Sequence, residues 1–201
     1  ACAAEVEMNL VERIDAVKKQ GIEPHLAVII VGDDPASHVY VNSKIKTCER
    51  LGIRSTHIAL AADVTEAVLR EHIHTLNERT DVHGILVQSP LPDHMDETAL
   101  TDLIHPNKDV DGFHPENLGR LVQGRTNGML PCTPSGIMRM LRWAGIELEG
   151  MKAAVLGRSR IVGMPAALLL AAKGADATVT VVHSRTENAA EVCREADIVV
   201  A

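Results

Sequence analysis

The stretch DDPASHVYVNSKIKTCERLG, residues 33–52, holds the chain's only tyrosine, Tyr40, with Lys44 four positions later. Asp34 is a suitable cap and Pro35 suits a first helical turn, so the segment reads as a helix with a marked start. At about 100° per residue, Ser37, Tyr40, Val41, Lys44, Ile45, Cys48 and Leu51 collect on one side. Asn42, Ser43, Lys46, Thr47, Glu49 and Arg50 take the other. Lys44 thus lies among apolar residues, with Tyr40 as its neighbour at i and i+4. A lysine that snorkels past the edge of a core explains this placement. So does an ammonium held in a cleft beside a phenol, where it could transfer a proton. The helix alone leaves both open.

Two other polar elements bear on the choice. VQSPLP, residues 87–92, puts Gln88 and Ser89 at the C-terminal end of an apolar run, where α/β sheets place their ligands. NKDVDGF, residues 107–113, supplies Asp109 and Asp111 in a glycine-turned loop. Taken alone, that loop reads as a solvated acidic turn. Convergence of the three elements on the lysine would make a site.

A separate pattern, VLGRSRIVGMPAALLLAAKGADATVTVVHSRT, follows an expected strand, opens a helix and leads to a second strand. That order suits dinucleotide binding, with Gly157 for the tight turn, Gly163 for close packing and helix N–H groups for phosphate. Ser159 stands where the usual second glycine would be. The second strand ends in HSRT, residues 183–186, with no carboxylate before Glu187 to accept from ribose hydroxyls. Arg158, Ser184 and Arg185 could instead meet a 2′-phosphate, which favours NADP over NAD. Surface arginines on loops are the plainer alternative.

These residues need elements to hold them. Strand-like runs lie at 25–32, 55–60, 82–88, 152–157, 177–182 and 196–201. Helical stretches lie at about 4–20, 36–51, 65–77, 96–104, 134–144, 164–173 and 187–195. Apolar strands alternating with helices indicate mainly parallel sheets covered on both faces. The chain turns irregular between about 89 and 133, and a new strand–helix series begins at Met151. The expectation is two α/β units, 1–133 and 134–201, the second Rossmann-like and ending inside a strand, so incomplete.

Composition narrows the function. The chain has one Phe, one Tyr and one Trp, so ring stacking is a poor basis for binding. A net charge of −7 without a Lys/Arg cluster argues against a nucleic-acid partner. Cys2, Cys48, Cys132 and Cys193 are scattered, which reads as reduced thiols and not as a metal set. His72 and His74, two apart in a helix, point to different faces, so no metal site is expected. No apolar run has the length of a membrane span. A cytoplasmic location is the expectation. A mitochondrial one after removal of a transit peptide stays open beside it, because the first residue is not Met.

Five segments together resemble the bifunctional methylenetetrahydrofolate dehydrogenase/methenyltetrahydrofolate cyclohydrolase family. They are VGDDPASHVYVNSK (31–44), GILVQSPLP (84–92), PNKDVDGFHPENLGRL (106–121), PCTPSGI (131–137) and GRSRIVGMP (157–165), in family order across nearly the whole chain. Ser89 departs from the leucine usual in that pattern. The resemblance implies two α/β domains flanking a cleft, folate on the first and NADP on the second. It implies Lys44 as the acid/base group of hydrolysis, Tyr40 against the folate, and Gln88 hydrogen-bonded to the lysine. It further implies Asp111 on the pterin's polar edge, Ser37 lining the same pocket, and Arg158, Ser159, Ser184 and Arg185 on the cofactor. A homodimer acting on tetrahydrofolate one-carbon derivatives is the partner expectation. A monofunctional dehydrogenase and a non-catalytic folate- or nucleotide-binding fragment are the competing readings.

Overall fold

The structure is a computed structural model that describes residues 2–125 and 127–201. It divides into two compact units, Ala1–Val110 and Asp111–Ala201.

In the first unit the run from Leu26 to Val31 has no polar residue to turn towards water, and it becomes a strand buried on both faces. This strand, β1 (His25–Val31), lies between β2 (Arg54–Leu60) and β3 (Gly84–Val87), and both pairings are parallel. Alternation along β1 and β3 sorts their side chains. Ala27, Ile29, Val31, Ile85 and Val87 meet Leu69, Ile73 and Leu76 of α3 (Glu66–Glu78), together with Leu91, Met95 and Leu100. Val28, Ile30 and Leu86 meet Val41 of α2 (Pro35–Leu51) on the opposite face, with Ile45 partly buried beside them. Full burial of each such aliphatic side chain contributes about 1.5–3 kcal/mol, so the position of α2 is set largely by packing. Its start is set by Asp34, which accepts the Ser37 N–H at 2.7 Å, and its end by Gly52 at φ 71°. Helix α1 (Cys2–Lys18) packs against α2.

In the second unit β4 (Lys152–Leu156) lies between β5 (Thr178–Val182) and β6 (Ile198–Val200), again with parallel pairings. Met138 of α6 (Cys132–Trp143) and Ala166, Ala167 and Leu170 of α7 (Gly163–Ala171) close over Ala153 and Val155. Helix α8 (Ala189–Glu195) packs against β4 and β5.

Two differences from the sequence expectation matter. The stretch expected as a helix over 96–104 narrows to α4 (Glu97–Thr101), capped by Asp96, with turns after it. Within the segment expected to be irregular stands α5 (Pro115–Val122), with Pro115 in its first turn, a Glu116–Arg120 ion pair one turn apart, and Asn117 and Leu121 buried. Helix α5 packs against α7, which is why the division falls at Val110–Asp111, upstream of the expected 133/134.

The segment leading to that division is pinned from the C-terminus of α3. Lys108 Nζ donates to the carbonyls of Leu76, Asn77 and Arg79 at 3.0, 2.7 and 2.7 Å. These are the carbonyls a helix end leaves without intrahelical partners, and a cation there also meets the negative end of the dipole. Burial pushes the Lys108 ammonium below the ordinary lysine range. The Asn77 side chain adds bonds to the Leu103 carbonyl and the His105 N–H. Lys108→Met should lower the unfolding free energy by about 1–3 kcal/mol, read as a lower Tm in thermal denaturation. The Asp34 cap makes a second prediction. The Ser37 N–H holds the Asp34 carboxyl below its ordinary range. Its stabilising contribution is therefore complete above the ordinary carboxylate pKa of about 4 and is lost as pH falls through the lower folded value. Asp34→Asn caps without titrating, so the variant should lose less stability than the parent on acidification, measured by denaturation at pH 6 and pH 3.

Candidate functional site

Helix α2 and the turn after β3 meet through side chains. The Gln88 N–H continues the ladder by donating to the Ile29 carbonyl at 2.9 Å, which fixes the backbone at the strand end. From α2, Lys44 Nζ donates to Gln88 Oε1 at 3.0 Å. The other end of the amide, Nε2, donates to the Ser89 carbonyl at 2.7 Å. This assignment is self-consistent: with NH2 on the carbonyl, the oxygen faces the ammonium, and reversal would oppose donor to donor at Lys44. Lys44 is half-buried and does not wave free in solvent.

Around this pair the expected residues divide. Val41, Cys48 and Leu51 are buried on the sheet side of α2, while Tyr40 lies at the stripe's margin with 61% of its surface exposed. Its ring is therefore available to a ligand and is no part of the core. Ser37, expected to line the pocket, is 4% exposed, and its hydroxyl donates to the Ser89 carbonyl at 3.4 Å. This bond ties α2 to the turn. Ser89, the departure from the leucine pattern, donates its hydroxyl to Glu97 at 2.8 Å.

Of the two carboxylates in NKDVDGF, Asp109 is buried and bridges in parallel to Ile85, so that part of the loop is not a solvated acidic turn. Asp111 is half-buried and opens the second unit. It is followed by Gly112 at φ 72°, whose missing Cβ allows contact with the Leu130–Pro131 backbone.

In the second unit an open hollow of about 460 Å³ lies past the C-terminal ends of β4 and β5. Leu156, Gly157, Arg158, Val182, His183 and Ser184 line it, with no carboxylate among its lining residues. Arg158 and Ser184 are thus brought together. Arg185 is exposed on the same turn, with its N–H on the His183 ring, and is not part of the lining. Ser159 does something spacing did not reveal: its Oγ accepts the N–H groups of Val162 and Gly163 at 3.1 and 3.3 Å. The expected supply of free N–H groups at the start of α7 is reduced accordingly, and the hydroxyl proton of Ser159 remains to be donated outward. Gly163 approaches the turn so closely that a Cβ there would overlap the Gly157 carbonyl. A hollow at the strand ends, lined by a guanidinium and a hydroxyl and lacking acids, fits a phosphate-bearing dinucleotide.

Comparison with known proteins places both units. The model for the tetrahydrofolate dehydrogenase/cyclohydrolase catalytic domain matches residues 1–111, and that for the NAD(P)-binding domain of the same family matches 131–201. The bifunctional protein FolD of Ruminiclostridium cellulolyticum is 50% identical over 198 residues, covering 98% of this chain and 69% of the relative. The bifunctional protein FolD 2 of Ectopseudomonas mendocina is 52% identical over 201 residues, covering 100% of this chain and 65% of the relative. The crystal structure of the bifunctional enzyme FolD from Campylobacter jejuni superposes with TM-score 0.95 at 47% identity, over 98% of this chain and 70% of that one. The Trypanosoma brucei enzyme, solved with NADP cofactor and inhibitor, gives TM-score 0.92 at 40% identity, over 98% and 68%.

The Gly163 contact is open to test. Gly163→Ala should cost about 1–3 kcal/mol by overpacking against backbone that has little room to yield. It should also weaken nucleotide binding by displacing the turn, which thermal denaturation and a calorimetric NADP titration would read together.

Proposed function

We infer that this chain, which belongs to the tetrahydrofolate dehydrogenase/cyclohydrolase family, carries out the NADP-dependent oxidation of 5,10-methylenetetrahydrofolate to 5,10-methenyltetrahydrofolate and its hydrolysis to 10-formyltetrahydrofolate. The observation that carries the hydrolytic half is the Lys44–Gln88 hydrogen bond at 3.0 Å.

The two steps make different demands. NADP, when bound, supplies the hydride acceptor for the first. The electrons that expel the hydride come from the substrate's bridging nitrogens, so the protein's task there is mainly to position the one-carbon bridge. The exposed Tyr40 ring offers a surface for the folate, and Asp111, by its place in the KDVDG motif, supplies a carboxylate for the pterin's polar edge. Arg158, Ser159, Ser184 and Arg185, with the Gly157 turn, hold the cofactor, the cations meeting its 2′-phosphate.

The second step needs proton transfer. Water attacks the methenyl carbon and loses both of its protons as the carbonyl forms. The bond from that carbon to N5 breaks, N5 takes up one of those protons, the other is released, and the formyl group is left on N10. Lys44 moves the proton. Gln88 accepts from the ammonium form and thereby sets where the amine points. This arrangement favours the bifunctional reading over a dehydrogenase alone.

The product is a formyl donor in one-carbon metabolism, which we place upstream of purine biosynthesis. A homodimer working in the cytoplasm is the corresponding proposal for assembly and location. No helix among the described residues is long and apolar enough to cross a membrane.

Lys44→Met should lower hydrolysis of methenyltetrahydrofolate by about 10²-fold or more, while part of the NADP-dependent oxidation survives. Both are followed by absorbance in the intact protein. Hydrolysis at the parent rate would refute the assignment.

A further inference from the structure

The turn that carries Gln88 is held by a carboxylate for which the reaction has no use. Glu97, in the first turn of α4, accepts from the Ser89 hydroxyl through Oε1 at 2.8 Å and from the Leu91 N–H through Oε2 at 3.1 Å. The two oxygens of one side chain therefore grip the chain on either side of Pro90, and bonds to an ionised acceptor are among the stronger ones available. Glu97 is itself well anchored. Asp96 caps α4 by accepting the Ala99 N–H at 3.0 Å, and Leu100 is fully buried in the core shared with Leu91 and Met95.

Ser89 lies inside this grip, and its carbonyl accepts from Gln88 Nε2 at 2.7 Å. A primary amide has one donor end and one acceptor end, so fixing the place of the NH2 fixes the place of the oxygen. Were the Ser89 carbonyl to swing away, the Gln88 amide would lose the contact that keeps its NH2 from the Lys44 ammonium. We propose that Glu97 is a positioning residue for hydrolysis: by clamping Ser89 and Leu91 it holds the Ser89 carbonyl, which orients the Gln88 amide so that its oxygen faces Lys44. The proposal rests on the reading of Lys44 as the proton-transfer group. Glu97 touches neither lysine nor amide and acts through the turn.

The test uses the intact protein, with hydrolysis and oxidation measured separately. Glu97→Ala should lower kcat for hydrolysis about tenfold with KM changed less than about twofold, because orientation and not binding is lost. Oxidation should be affected much less. Glu97→Gln, which keeps an acceptor for the Leu91 N–H and a polar partner for Ser89, should restore most of the rate. In a Gln88→Ala background, Glu97→Ala should cause no further loss, since both changes remove one pathway of orientation. Unchanged hydrolysis in Glu97→Ala, equal loss of both activities, or losses that multiply with Gln88→Ala would each overturn the proposal. Should Glu97→Ala fail to fold, Ser89→Ala removes one arm of the clamp by a single hydroxyl, and its hydrolysis must fall selectively or the proposal fails. Retained hydrolysis in Lys44→Met would instead defeat the functional reading beneath it, whereas loss in Lys44→Met with none in Glu97→Ala defeats the role of Glu97 alone.

Discussion

An ammonium group on one element is met by an amide oxygen on another, 3.0 Å away, and the first unit is arranged so that this contact can form. Lys44 belongs to a helix whose neighbours Val41 and Ile45 pack on one face of the sheet. Gln88 belongs to a strand end whose N–H is still held by the central strand. Neither side chain could hold its place without that packing, since a lysine ordered in one rotamer gives up about 1.5–2 kcal/mol of conformational freedom. The sheet brings the two backbones to a fixed separation, and the polar network spans what remains. The sheet's alternation, the Asp34 cap and the Ser37 tie all serve that separation.

The second unit solves a different problem, which is bringing a helix terminus close to a strand end without filling the space a ligand needs. Gly163 removes the side chain that would collide with the Gly157 carbonyl, and the Ser159 hydroxyl takes up two N–H groups that would otherwise point into the turn unsatisfied. The result is a tight β4–α7 junction with Arg158 and Ser184 at the rim of an open hollow. Under the proposed function, recognition there would rest on charge and hydroxyl groups, which agrees with a chain that has only three aromatic residues.

Much of this was legible from residue order, and the failures share a cause. The half-buried placement of Lys44 follows from helical period, Gln88 at a strand end follows from the apolar run before it, and Gly163 follows from the strand–turn–helix order. These are local regularities. The staple made by Lys108, the burial of Asp109 and the Glu97 grip on the 88–92 turn join residues brought near by the fold, and no period announces such pairs. Helix α5 had a local signal in Pro115, preceded by a capping His114 and followed by the Glu116–Arg120 pair. Its short length, Gly119 within it and glycines on either side hid that signal. Ser159 is expected from the sequence only as a cofactor contact, and the fold shows that its oxygen already bonds to the main chain, a pairing that spacing alone does not reveal.

The central claim is that the lysine amine is aimed by the glutamine oxygen at the reacting carbon. A crystal structure of the intact protein with NADP and a folate analogue bound addresses it most directly. The account predicts Lys44 Nζ within about 3 Å of Gln88 Oε1, with the amine directed at the one-carbon position of the analogue. An amine turned into solvent, with the Gln88 amide bonded elsewhere, would contradict it.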